Sequence, residues 1–160
     1  MERFPMPQIP ANIKGAEQLV RVFGYWPSFH DAEVLRFSVD RYGEHGPTVE
    51  CVIHVYEGTK DIDPEGLYIL KNHSLVTFRF LAIVELEVSD FNQQNVLWDL
   101  EIINIEEPQL EQVKFSVMFP ASFGMSASFQ CLDVEVVRVE RCDREGNPQE
   151  APICELLDKE

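Results

Sequence analysis

Apolar and polar residues alternate with period two along most of this chain, and recur with a helical period only near its start. From Asn12, the residues Ile13, Ala16, Val20 and Phe23 fall at helical spacing, which predicts one short helix stopped by Gly24. Pro27 prevents its continuation and biases Trp26 toward extended backbone. Leu35, Phe37 and Val39 then alternate with Arg36, Ser38 and Asp40, the pattern of a half-buried strand. After a loop from Tyr42 to Pro47, Val49, Cys51, Ile53 and Val55 alternate with Glu50 and His54, which predicts a hairpin. The acidic stretch TKDIDPEG breaks the pattern.

A long strand is predicted from Leu75 to Val88, with Val76, Phe78, Phe80, Ala82, Val84 and Leu86 in one row. Leu81 and Ile83 interrupt the opposite, polar row, so the middle of that strand is read as covered on both faces. Trp98, Leu100 and Ile102 mark a fourth strand; Val113, Phe115, Val117 and Phe119 mark a fifth, separated from it by Pro108. A last stretch from Ser126 to Arg141 changes phase at Val136-Val137, which predicts a β-bulge. The fold expected is α+β: a mainly antiparallel sheet of six or seven strands with one short N-terminal helix packed on it. Residues 1–160 read as a single domain, with 1–11 a proline-containing extended lead-in. Residues 143–160 read as a polar tail with a docked turn at Ile153, Leu156 and Leu157.

Charge narrows the partners. Among 160 residues, 28 acidic side chains against 13 basic ones leave a formal charge of −15. Such a surface repels nucleic-acid phosphates and anionic lipid, and favours encounter with basic proteins. The start MERFPMPQIPANIKG has no basic region followed by an apolar run, and no apolar segment approaches the ~20 residues of a membrane helix. The expectation is a cytoplasmic protein whose Cys51, Cys131, Cys142 and Cys154 are reduced thiols; none forms a C-x-x-C pair, and Cys51 and Cys131 sit where core hydrophobes belong.

Two segments carry candidate chemistry. In FGYWPSFHDAEV, a strand would place Asp31 and Glu33 on one face with His30 opposite. Paired carboxylates can divide acid and base roles, and with a histidine they can ligate a metal. Both uses need further partners, and the chain offers only isolated His45, His54 and His73, with no H-E-x-x-H spacing. Structurally, Asp31 could instead cap a turn while His30 fills a hydrogen-bonding gap beside Trp26 and Phe29. A third use is a binding face. In DFNQQNVLWDLEI, Phe91 precedes Asn92, Gln93, Gln94 and Asn95, amides that suit either a turn or an interface. PASFGMSASFQC lacks a nucleophile elbow, its Gly124 reading as a turn or bulge, and the chain has no phosphate-binding glycine loop. Acidic residues cluster at Glu85, Glu87 and Asp90 and again at Asp99, Glu101, Glu106, Glu107 and Glu111, which charges that protect sheet edges would explain; Glu85, Glu87, Asp90, Asp99 and Glu101 are also interface candidates.

Together the two segments resemble the Imm50-type immunity proteins of bacterial polymorphic toxin systems. The resemblance rests on W-P-S-F-H-D-A-E-V and on F-N-Q-Q-N-V leading into a strand, and has no counterpart after Arg141. It implies a small non-enzymatic protein, without cofactor, that binds and blocks a cognate toxin in the cell that makes it. Under that implication, Trp26, Phe29, His30, Asp31 and Glu33 form one functional or fold-defining cluster, and Phe91, Asn92, Gln94 and Asn95 another. The charge adds a basic, nuclease-like effector as the expected partner. Competing expectations are a small hydrolase or metal-dependent enzyme built on His30, Asp31 and Glu33, and a scaffold or oligomerisation domain.

Overall fold

The computed structural model describes residues 9–105 and 113–149. Helix α1 spans Glu17–Phe23. The strands are β1 Glu33–Asp40, β2 Thr48–Ile62, β3 Tyr68–Leu81, β4 Val84–Ser89 and β5 Val96–Leu97, then β6 Glu101–Asn104, β7 Phe115–Phe119, β8 Ala121–Phe123, β9 Ser126–Cys131 and β10 Asp133–Arg141. They form a six-stranded sheet in the order β10-β3-β2-β1-β5-β8 and a four-stranded sheet in the order β4-β9-β7-β6, with antiparallel pairing between strands throughout.

Mostly antiparallel sheet with one short helix is thus the architecture of the described residues, but they form two sheets and ten strands where the sequence pattern predicts six or seven. The difference arises at corners. Ala82 takes a left-handed φ of 53° and ends β3, so the expected strand from Leu75 to Val88 crosses from one sheet to the other. Inward-facing residues follow the phase of Val76, Phe78 and Phe80 up to that point; beyond it Ile83 is buried, in the opposite phase. Both sheets line one core, so apolar residues persist through the turn and hide it. The final stretch likewise divides at Leu132 into β9 and β10. The predicted irregularity at Val136-Val137 is present as a register shift between Val136 and Arg138.

The core lies between the sheets. Phe80 of β3 packs edge-on against Phe129 of β9 and Phe119 of β7, with ring centroids 5.0 and 6.1 Å apart. Cys51 and Cys131 are buried there as expected, and burial drives both thiols up, Cys131 to about 12. Helix α1 begins at Glu17 rather than Asn12, because left-handed φ angles at Asn12 (66°) and Gly15 (77°) break the backbone on either side of the buried Ile13. Lys14 donates its amide to Val134 O and accepts one from Val136 at its own carbonyl, covering the free edge of β10. Gly24 stops the helix where predicted. Leu19, outside the predicted stripe, is fully buried, whereas Val20 is only half-buried.

The segment TKDIDPEG interrupts less than expected. Thr59–Ile62 continues β2, and only residues 63–67 turn, held by Asp63 Oδ1 accepting the amides of Glu65 and Leu67 at 2.9 Å each. Beyond Val55 and Ser74, β2 and β3 pair with each other alone, so the hairpin leaves the sheet as a two-stranded arm. Pro108, Glu106, Glu107, Glu111, Cys154, the turn expected at Ile153, Leu156 and Leu157, and most of the lead-in lie outside the described residues.

Candidate partner-binding face

Between α1 and β1 the chain must reverse from helix to strand, and its aromatic residues do this by turning inward. Trp26 and Phe29 are 5% and 1% exposed and pack with Phe78 of β3, ring centroids 5.8 to 6.3 Å apart. They are members of the core and present no surface to a partner. The next residue points the other way: His30 is exposed, and its ring lies edge-on to Trp98, 4.7 Å between centroids. His30 Nδ1 sits 2.8 Å from the Trp98 carbonyl oxygen, which can only accept, so Nδ1 carries the hydrogen and Nε2 is left facing Asp31 Oδ1 at 3.6 Å. The expected gap beside Trp26 and Phe29 is therefore not where His30 goes.

Asp31 has a left-handed φ of 67°. Its amide donates to Leu97 O at 2.9 Å and its carbonyl accepts the Tyr56 hydroxyl at 3.2 Å, so the backbone of Asp31 closes the turn while its carboxylate stays on the surface. Glu33 opens β1, paired with His54 on one side and Val96 on the other. The phenol of Tyr56 is pushed up by burial first and then by the charges of Asp31 and Glu33. The expected strand geometry, with Asp31 and Glu33 on one face and His30 opposite, does not form: Asp31 lies in the turn before β1, and its carboxylate faces His30. None of these groups is enclosed: His30, Asp31 and Trp98 are exposed and Glu33 half-buried. Among the described residues, no group of three or more His, Cys, Asp or Glu is arranged to hold a metal ion.

The amide run divides by burial. Asn95 is 2% exposed, and its Oδ1 accepts the amides of Asn92 at 2.8 Å and Met125 at 3.1 Å while Nδ2 donates to Asn92 O at 2.8 Å. One side chain thus ties the loop to the turn before β9. Gly124 sits under it with φ of 85°; a Cβ there would fall 2.3 Å from Gln94 O, so only glycine fits. Asn92 Nδ2 donates to Asp90 O, while Phe91, Gln93 and Gln94 face solvent. Glu85 and Glu87 lie exposed on β4, and half-buried Glu101 opens β6; these strands are the two edges of the four-stranded sheet. Asp90 is exposed, and Asp99 Oδ1 accepts the amide of Leu100.

Sequence reasoning missed three contributors. Trp98, expected to share a buried row with Leu100 and Ile102, is 60% exposed, because β5 ends at Leu97 and β6 begins only at Glu101. Tyr56 continues the ridge beside Asp31. Next to it His54 Nε2 and His73 Nδ1 share a hydrogen bond of 2.9 Å, both imidazoles pushed down chiefly by burial, with Asp143 opposing. His54 is 5% exposed beneath the turn at residues 143–147, where the position of a Gly146 Cβ would lie 3.5 Å from its Nδ1. The period-two pattern marked His54 as outward-facing, but contained nothing to announce the segment that covers it.

These features define a two-sheet β protein that displays aromatic, imidazole and carboxylate groups on an open surface. The chain belongs to the Immunity protein 50 family, whose model matches residues 15–141 and so bears out the resemblance drawn from its two motifs. The match ends at the residue after which no counterpart was expected. No curated protein and no solved structure matches the chain. No described helix is long and apolar enough to cross a membrane.

Proposed function

We propose that this protein binds a cognate bacterial toxin and neutralises it without catalysis, in the cytoplasm of the cell that makes both. Membership of an immunity-protein family over residues 15–141 is the observation that carries the reading. The partner's contact surface is basic, of the kind a nuclease uses to attract phosphate; the −15 charge supports this by complementarity. The contact face is the ridge of Trp98, His30, Asp31, Glu33 and Tyr56, continued on the loop by Phe91 and Gln94. An exposed tryptophan set against a histidine that itself faces a carboxylate has the composition of an interface anchor with a polar rim. Trp26, Phe29 and Asn95 serve this face indirectly by fixing the backbone beneath it.

The test is co-expression with the toxin domain encoded beside this chain's gene, followed by titration of the purified pair. Wild type should rescue growth and bind tightly. Trp98→Ala should weaken binding by about tenfold or more, equivalent to roughly 1.4 kcal/mol, with an unchanged melting temperature because the side chain is mostly exposed. His30→Ala should weaken it less. Failure of the wild type to rescue or bind removes the neutralising role; full affinity in folded Trp98→Ala removes this face.

A further inference from the structure

The hairpin arm formed by β2 and β3 beyond the sheet is a second exposed feature of unusual composition. It continues for about seven residues past Val55, roughly 20 Å at strand rise. Among the described residues no strand pairs with the outer part of this ribbon, and Ile62, Leu67, Tyr68, Ile69 and Leu70 are 39 to 68% exposed along it. An isolated two-stranded hairpin is marginal in water, so one displaying this much apolar surface calls for an occupant. The arm is fixed at its root. Glu57 accepts the Tyr25 hydroxyl at 2.9 Å through one oxygen and Asn72 Nδ2 at 2.8 Å through the other, tying both strands to the loop after α1. Tyr56, at the base, is also part of the Trp98 ridge, so arm and ridge are continuous.

Charge and shape select the occupant. Residues 56–73 carry Glu57, Asp61, Asp63 and Glu65 against Lys60 and Lys71, and Lys71 already faces Glu57 at 3.9 Å. Arg144, the cation of the neighbouring turn, is bonded first to Glu145 at 3.0 Å and acts more weakly on Glu65 and Asp63, so the tip keeps an acidic excess. The outer half of the arm is therefore apolar with an acidic tip. A second copy of a chain with a charge of −15 is a poor match for it. A flat surface could cover only one face of a narrow ribbon, whereas a cleft covers both.

We propose that the arm inserts into a positively charged cleft of the toxin, its carboxylates taking the place of the anionic groups that cleft attracts, while the Trp98 ridge seals the rim. This rests on the toxin-binding reading above.

The probe is the purified toxin domain encoded beside this chain's gene. Leu67→Ser with Tyr68→Ser should weaken binding at least tenfold, and Asp61→Lys with Glu65→Lys should slow association at least fivefold. The melting temperature should hold in both, because these side chains are exposed and Asp63, which builds the turn, is retained. Hydrogen exchange on wild type supplies a readout independent of any variant: amides of residues 57–72 should become protected in the complex. Wild type failing to bind overturns both readings. Binding with the arm amides unprotected, both arm variants at full affinity, or a light-scattering mass of a dimer that the Leu67/Tyr68 variant abolishes, overturns the arm while leaving neutralisation intact.

Discussion

At the scale of single residues, the two motifs sort into those that hold the fold and those left free to touch something else, and burial does the sorting. Asn95 is the clearest structural case. Its carboxamide satisfies two backbone amides and one carbonyl, and the bond to the fully buried Met125 is closed to water, so truncation strands that amide without solvent to replace the lost bond and frees the half-buried pair to Asn92. Asn95→Ala should therefore destabilise the protein by about 3 kcal/mol in urea unfolding, far more than an ordinary surface asparagine. Gln94→Ala, one residue away and exposed, should change stability by less than about 0.5 kcal/mol. Equal effects of the two would show that the clip is not what holds this loop. The sequence pattern marks both as loop amides but cannot separate them, since burial of a polar residue depends on which distant turn lands on it. Here that turn is Phe123-Gly124-Met125, thirty residues on.

At the scale of elements, what could be read in advance was whatever buries one face only. Val49, Cys51, Ile53 and Val55 of β2, and Phe115, Val117 and Phe119 of β7, are all fully or almost fully buried, as alternation predicts. The arm of the same β2 was illegible because no described strand covers either face of its outer part, and the corner at Ala82 was illegible because both of its sides are covered. Leu35 shows a third failure: the alternation places it inside with Phe37, yet a register shift between Val34 and Arg36 leaves it 39% exposed to the sheet's outer side. There it meets the turn after β10, a Gly146 Cβ position lying 3.2 Å from Leu35 Cδ1, beside His54. This segment lies beyond the family match, and its seat on the His54–His73 pair makes it responsive to pH. Both imidazoles have folded pKa values below their ordinary 6.5, burial being the first cause. The unfolded chain therefore binds more protons as pH falls through about 6.5, and folded stability declines with it until the folded pKa values are passed. Urea midpoints measured from pH 8 to 5 should fall, and the slope should flatten in His73→Gln. An identical slope in the variant would mean that the pair does not carry the dependence.

At the scale of the whole molecule, the charge is spread over edges and loops rather than concentrated in one cavity, which makes it better suited to drawing a partner in than to holding a small ligand. Arg79 bridges Glu50 at 3.1 Å and approaches Glu135 at 3.9 Å on the outer face of the six-stranded sheet, so part of the scarce positive charge is already neutralised. Among the described residues, exposed carboxylates lie on Asp31 in the ridge, on the edge strand β4 with Glu85 and Glu87, and on the acidic arm. A field of this extent acts at the distance over which salt leaves it unscreened, about 30 Å at 0.01 M and about 8 Å at 0.15 M. A basic toxin should accordingly associate at least tenfold more slowly at the higher salt, while dissociation changes by less than about threefold, because the contacts proposed at Trp98 and the apolar flanks of the arm would be short-ranged. Stopped-flow association at the two salt concentrations separates the terms. If instead dissociation carries the salt dependence, the carboxylates act within the contact and not in the approach; an association rate constant within twofold at both concentrations would leave −15 as a property of solubility alone.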